Sequence, residues 1–233
     1  MVRRVRQHVN PLSNKYQTPK TVADWGQIFT RLDQPLHLDI GCGRGFFLRQ
    51  MAQLQPDWNF LGLEIRQPLV EQALQWRDEQ QIQNLHFVFC NANQSLRSLF
   101  ANWPQVPLQR VTIQFPDPWF KKRHQKRRVV QPALIATLAE LMPANAEVVL
   151  QSDVEAVATE MTERFAEQPA FVQQPTGWLA ASPFLAQTER EQMTLAKGQP
   201  VFRSLFLRQA ATDSALTAAE SEWCDPADGF QTV

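Results

Sequence analysis

The chain has 233 residues, 44% of them hydrophobic and 20% charged, which is the makeup of a soluble globular protein with a sizeable core. Its 23 basic and 23 acidic side chains cancel, so any polyanion must be met by a local patch. No apolar run approaches the ~20 residues of a membrane span, and no signal-peptide pattern opens the chain. Cys42, Cys90 and Cys224 show no metal-ligand spacing. These features predict a soluble, cytoplasmic protein with free thiols, no membrane partner and no metal site.

Residues 1–20 carry Arg3, Arg4, Arg6, Lys15 and Lys20 and no acid, which predicts a flexible basic arm. Trp25, Ile28, Phe29 and Leu32 fall at helical spacing and predict a short helix. Apolar runs follow at Leu36 to Ile40, Asn59 to Ile65, Leu85 to Phe89, Val111 to Phe115 and Ala146 to Gln151. Helical patterns alternate with them over Phe46 to Leu54, Pro68 to Gln80, Ala133 to Leu141 and Val154 to Gln168. That alternation predicts an α/β domain over 21–208, with a mostly parallel central sheet and helices on both faces. Pro200 to Leu207 reads as an antiparallel strand near the carboxyl end, paired with Ala170 to Gln173. Residues 209–233 carry acids and no base, and read as a disordered tail.

Between the first run and the first helix lies Asp39-Ile40-Gly41-Cys42-Gly43-Arg44-Gly45. Glycines there permit a tight turn and close approach of backbone to a ligand. Glu64 ends the second run, where a carboxylate can accept hydrogen bonds from both hydroxyls of a ribose. A dinucleotide loop would want a small residue at Phe46. The D-x-G-x-G-x-G pattern instead resembles the first motif of class I S-adenosylmethionine-dependent methyltransferases, a Rossmann-like fold in which the acid faces the methionine part of the cofactor. Asn91-Ala92, directly after the third run, is placed to meet adenine.

The fourth run opens into Phe115-Pro116-Asp117-Pro118-Trp119-Phe120, followed by Lys121, Lys122, Arg123, His124, Lys126, Arg127 and Arg128. Each proline fixes its own φ and restricts the residue before it, so the Asp117 carboxylate is aimed. Cations interleaved with flat rings suit RNA, whose phosphates and bases call for both. Engagement of four to six phosphates predicts a log–log salt slope of about −3 to −5.

This segment resembles the signature of the tRNA (guanine-N7-)-methyltransferase family. Leu61-Gly62-Leu63-Glu64-Ile65-Arg66 and the glycine loop also resemble family motifs. Ser152-Asp153-Val154-Glu155 sits where the family has Thr-Asp-Trp-Glu, and Thr188-Glu189-Arg190-Glu191 resembles its Thr-x-x-Glu segment. Asn91 stands where bacterial members often have Asp, and Val154 replaces the usual aromatic residue. The resemblance implies N7 methylation of a guanosine in the tRNA variable loop, with S-adenosylmethionine as donor. It assigns Asp39, Gly41, Gly43, Glu64 and Asn91 to the cofactor and Asp117 to cofactor and reacting centre. Lys121, Asp153, Thr188 and Glu191 go to the RNA substrate, with Glu191 accepting from guanine N1–H and the exocyclic amine. Two other readings are a methyltransferase acting on another RNA base and a non-catalytic RNA-binding protein.

Overall fold

The computed structural model describes residues 9–103 and 107–210. The acidic tail from Ala211 onward and residues 1–8 of the basic arm lie outside the described residues. Strands β1 (Leu36–Ile40), β2 (Asn59–Glu64), β3 (Leu85–Phe89), β4 (Leu108–Gln114), β5 (Glu147–Ser152), β6 (Phe171–Gln173) and β7 (Phe202–Arg208) form one sheet. Their order is β3-β2-β1-β4-β5-β7-β6. The first five run parallel, and β7 runs antiparallel to both β5 and β6. The predicted mixed sheet with its late antiparallel strand is therefore present.

Helices α1 (Phe46–Leu54) and α2 (Gln67–Glu79) cover one face. Helices α3 (Ala92–Phe100), α4 (Pro132–Leu141) and α5 (Glu155–Ala166) cover the other, and α6 (Glu189–Ala196) precedes β7. Leu36, Leu38 and Ile40 of β1 point into the core beneath α3 to α5, while His37 turns the other way, against Phe47 and Phe60. Cover on both faces buries all five residues of β1, although its apolar and polar side chains alternate. It also makes its two polar residues, His37 and Asp39, conspicuous.

Two elements differ from the sequence expectation. The stretch from Trp25 to Leu32 holds only a 3-10 turn, Trp25–Gln27, capped by the Asp24 side chain on the Gly26 N–H. Its apolar residues serve an aromatic cluster instead: Trp25 stacks on Phe29 and Phe100 and tilts against Trp103. Helix α3 has no counterpart in the apolar pattern of the sequence, because Asn93-Gln94-Ser95 in its first turn are polar. Residues 9–20 lie against the body; Tyr16 is buried edge-on to Phe89, and the Lys20 N–H donates to Ser95 Oγ.

Candidate active site

The strand order reverses between β1 and β4, and in open α/β sheets the crevice beyond that point receives ligands. Three glycines line the turn after β1, with φ of 88° at Gly41, 59° at Gly43 and 74° at Gly45. All lie in the left-handed region that favours glycine. Nothing stands within 4 Å of a Cβ placed on Gly41, so the missing side chain leaves open space beside the backbone. A Cβ on Gly45 would meet the Phe87 ring at 2.4 Å, so that glycine lets the helix close onto the sheet. The Gly41 and Cys42 N–H groups both donate to Leu63 O, which ties the turn to β2.

Glu64 is almost fully buried and its carboxylate is saturated. Oε2 accepts from Gly43 N–H and Arg66 Nη2, and Oε1 accepts from Arg66 N and Nε, all at 2.9 Å. The guanidinium thus occupies two of the carboxylate's acceptor positions. Asp39 is also buried, and burial pushes its carboxyl up to about 6 against the pull of hydrogen bonds from Thr112 and Gln114. Asn91 caps α3 by accepting from Asn93 N–H, and its amide donates to Pro11 O. Its side chain is therefore engaged locally.

A cavity of about 340 Å³ opens here, lined among others by Gly41, Glu64, Arg66, Asn91 and Asp117, with Val9, Pro11 and Leu12 at its edge. A second, of about 300 Å³, is lined by Asp39, Gly43, Asp117, Asp153, Thr188 and Arg190. Asp117 and Arg66 belong to both walls. The Pro-Asp-Pro loop that carries Asp117 is bounded by two aromatic residues with positive φ, 48° at Phe115 and 40° at Trp119. For bulky side chains this is strained backbone, which persists only where the surroundings over-determine it.

The basic run does not act as one patch. Lys121, Lys122, Arg123 and Lys126 are exposed, with Lys121 at the start of a 3-10 turn over Lys122–Arg127. Arg127 lies over the Trp119 ring at 4.9 Å, and His124 packs edge-on to the same ring. Arg128 turns inward.

Across the crevice, Asp153 follows β5 and accepts from Arg190 Nε at 2.8 Å. Thr188 caps α6 by accepting from Glu191 N–H at 3.0 Å. Glu191 is 1% exposed, and its oxygens take Arg203 Nη2 at 2.6 Å and Gln151 Nε2 at 3.2 Å. It stands behind the second cavity, not on its wall.

A buried polar chain connects the two sides, and sequence reasoning missed it. Thr112 Oγ1 donates to Asp39 at 2.6 Å and lies 3.1 Å from His37 Nε2. With the hydroxyl proton committed to Asp39, His37 Nε2 must carry its own proton; burial holds this imidazole well below its ordinary pKa, hence neutral. Gln114 Nε2 donates to Asp39 at 3.2 Å, and its carbonyl oxygen accepts from Gln151 at 2.8 Å. Gln151 in turn accepts from Arg203 Nε at 3.1 Å. The available signal was a polar residue at a strand position inside an otherwise apolar run, at 37, 39, 112, 114 and 151.

The family described as "Putative methyltransferase" matches residues 33–204. A protein of Microcystis aeruginosa, a tRNA (guanine-N(7)-)-methyltransferase, is 58% identical over 204 residues, 87% of this chain and 97% of that relative. The protein of the same name in Trichormus variabilis is 55% identical over 206 residues, 88% of this chain and 96% of its own. The chain belongs to the tRNA (guanine-N(7)-)-methyltransferase family. Among solved structures, the aminoglycoside resistance methyltransferase NpmB1 superposes with a TM-score of 0.50 at 13% identity, over 76% of this chain and 88% of that one. At that identity the likeness concerns the fold alone.

Family and fold make this protein a methyltransferase that uses S-adenosylmethionine. The residues fit that cofactor. Gly41 leaves open space beside its backbone, Glu64 carries carboxylate oxygens paired with the Arg66 guanidinium, and the buried Asp39 acid lies on the wall of the second cavity. Among the described residues, no cluster of His, Cys, Asp and Glu could hold a metal. No helix there is long and apolar enough to cross a membrane.

Proposed function

We propose that this protein methylates N7 of a guanosine in the variable loop of tRNA. The observation that carries the reading is the position of Asp117: one carboxylate on the wall shared by two cavities, at the carboxyl end of β4. S-adenosylmethionine, when bound, supplies a methyl group made electrophilic by a sulfonium. Gly41, Glu64 and Asn91 hold the nucleoside end in the first cavity, and Gly43 and Asp39, on the wall of the second, face the cationic methionine end.

Guanine N7 bears a lone pair and no proton, so no general base is needed to make it nucleophilic. The protein must bring N7 to about 3–3.5 Å from the methyl carbon and offset the positive charge that moves onto the purine. Asp117 does the second from a backbone that prolines fix on both sides. The part of the second cavity lined by Asp153 and Thr188 takes the base. Asp153, oriented by Arg190, and Thr188 form its far wall, and Glu191 supports that wall through Arg203 and Gln151. Lys121 and the other exposed cations grip phosphates beyond.

The test is incubation of the purified protein with methyl-labelled S-adenosylmethionine and unmodified tRNA, followed by digestion to nucleosides. The expected product is label in 7-methylguanosine. Label in a different nucleoside, or none, overturns the assignment.

A further inference from the structure

The inward turn of Arg128 separates it from the cations around it. Its Nε donates to Pro118 O at 3.2 Å and its Nη2 to Trp119 O at 3.1 Å. Nη1 pairs with Glu160 Oε2 on α5, and the other oxygen of that carboxylate lies 2.5 Å from Arg164 Nη2, one turn along the helix. Arg164 also donates to Val130 O. The segment that follows is tied down as well: Asn93 Nδ2 donates to Val129 O at 2.9 Å, and Gln131 Nε2 to Arg128 O at 2.8 Å. The Arg128 side chain is 17% exposed, against 24% for Glu160 and 19% for Arg164.

Those contacts fall at the strained end of the loop. Trp119 has a φ of 40°, a conformation a tryptophan holds only under external constraint. Phe115, at the other end, has its N–H fixed on Gln151 O at 2.8 Å. Asp117 therefore hangs between a sheet anchor and a guanidinium anchor. The planar fork of arginine can bond two neighbouring carbonyls and a carboxylate at once, a geometry that the single ammonium of lysine cannot reproduce.

We infer that Arg128, Glu160 and Arg164 form a clamp that positions Asp117, and that Arg128 acts on the rate of methyl transfer through the loop and not on RNA phosphate. The inference rests on Asp117 facing the reacting centre. It divides the basic run by function: the exposed cations deliver RNA, while its last arginine sets the geometry of the loop. A displacement of about 1 Å at a reacting centre can cost ~10²-fold in rate, so losing the clamp is expected to lower kcat at least tenfold.

Arg128→Lys and Glu160→Gln separate the two roles. Lysine keeps the charge and grips phosphate adequately, so a phosphate role predicts near-normal tRNA affinity and rate for Arg128→Lys. A clamp predicts a kcat loss of about tenfold or more for Arg128→Lys and several-fold for Glu160→Gln, at saturating tRNA and cofactor. The salt slope of tRNA binding should be unchanged in both, and hydrogen exchange over residues 116–128 should be faster. Glu160→Gln lies outside the basic run, so it still reports if Arg128→Lys folds poorly. Wild-type kcat in both variants, with hydrogen exchange over 116–128 unchanged, overturns the clamp. Full rate in Asp117→Ala would overturn the placement of Asp117 itself, and exchange over 116–128 reads the clamp independently of that outcome.

Discussion

The two sides of the Asp117 loop are built from opposite materials. On the side proposed for the cofactor, polar groups are buried and satisfied: Glu64 by Gly43 and Arg66 of the loops after β1 and β2, Asp39 by Thr112 and Gln114 of β4. On the side proposed for RNA, Lys121, Lys122, Arg123 and Lys126 stand in solvent at and along a 3-10 turn. A small ligand bearing few charges is recognised by fixed donors and acceptors in a closed cavity. A flexible polyanion is captured by mobile cations and only then located. Between the two, the loop must be rigid, and its strain at Phe115 and Trp119 is held from both ends.

The sharpest way to test this division is to remove the group at the boundary. Asp117→Ala should lower kcat by about 10² or more, since stabilisation of developing charge acts only in the transition state. Cofactor affinity should change little, because the contacts proposed for Glu64 and Asp39 are left in place. Calorimetric titration with cofactor and single-turnover methylation give the two numbers. Loss of cofactor binding with an unchanged single-turnover rate would place Asp117 wholly on the cofactor side.

Next in size is the RNA side. The double variant Lys121→Ala, Lys122→Ala should bind tRNA about tenfold more weakly near ~0.1 M salt and flatten the log–log salt slope by about one per lysine. Its kcat at saturating tRNA should stay within a few-fold of the parent. A large fall in kcat with an unchanged slope would show that these lysines, like Arg128, act on the loop.

The same contrast governs what was readable in the sequence. The side proposed for the cofactor announces itself, because clustered glycines and carboxylates at the ends of apolar runs stand out in the sequence. The parallel strands were legible for the same reason. Helix α6 was legible in principle: Thr188-x-x-Glu191 is a capping-box spacing, and Thr188 does cap the helix. In sequence it read only as a family motif. The polar chain from His37 to Arg203 was not legible, because it depends on register. Asp39 lies opposite Thr112 and Gln114 opposite Gln151 only once β4 is placed between β1 and β5. Arg128 was hidden differently. In sequence it is one cation among many, and only its inward direction, set by Glu160 about 30 residues later, distinguishes it.

The smallest expected effect probes the buried side by its charge. Burial raises the Asp39 carboxyl from 3.8 to about 6, so between those values the folded state binds more protons than the unfolded chain. Stability from this group therefore falls as pH rises from about 4 to 6 and is level above, the reverse of a salt-bridged acid. A cationic ligand has the opposite preference, since it is drawn to the ionised carboxylate. Cofactor affinity should accordingly weaken about fourfold on going from pH 7 to 5.5, as the ionised fraction drops. The same titration on Asp39→Asn should begin from weaker binding and show no such dependence. If the parent's Kd is level across that range, Asp39 is already ionised there, and the hydrogen bonds from Thr112 and Gln114 outweigh its burial.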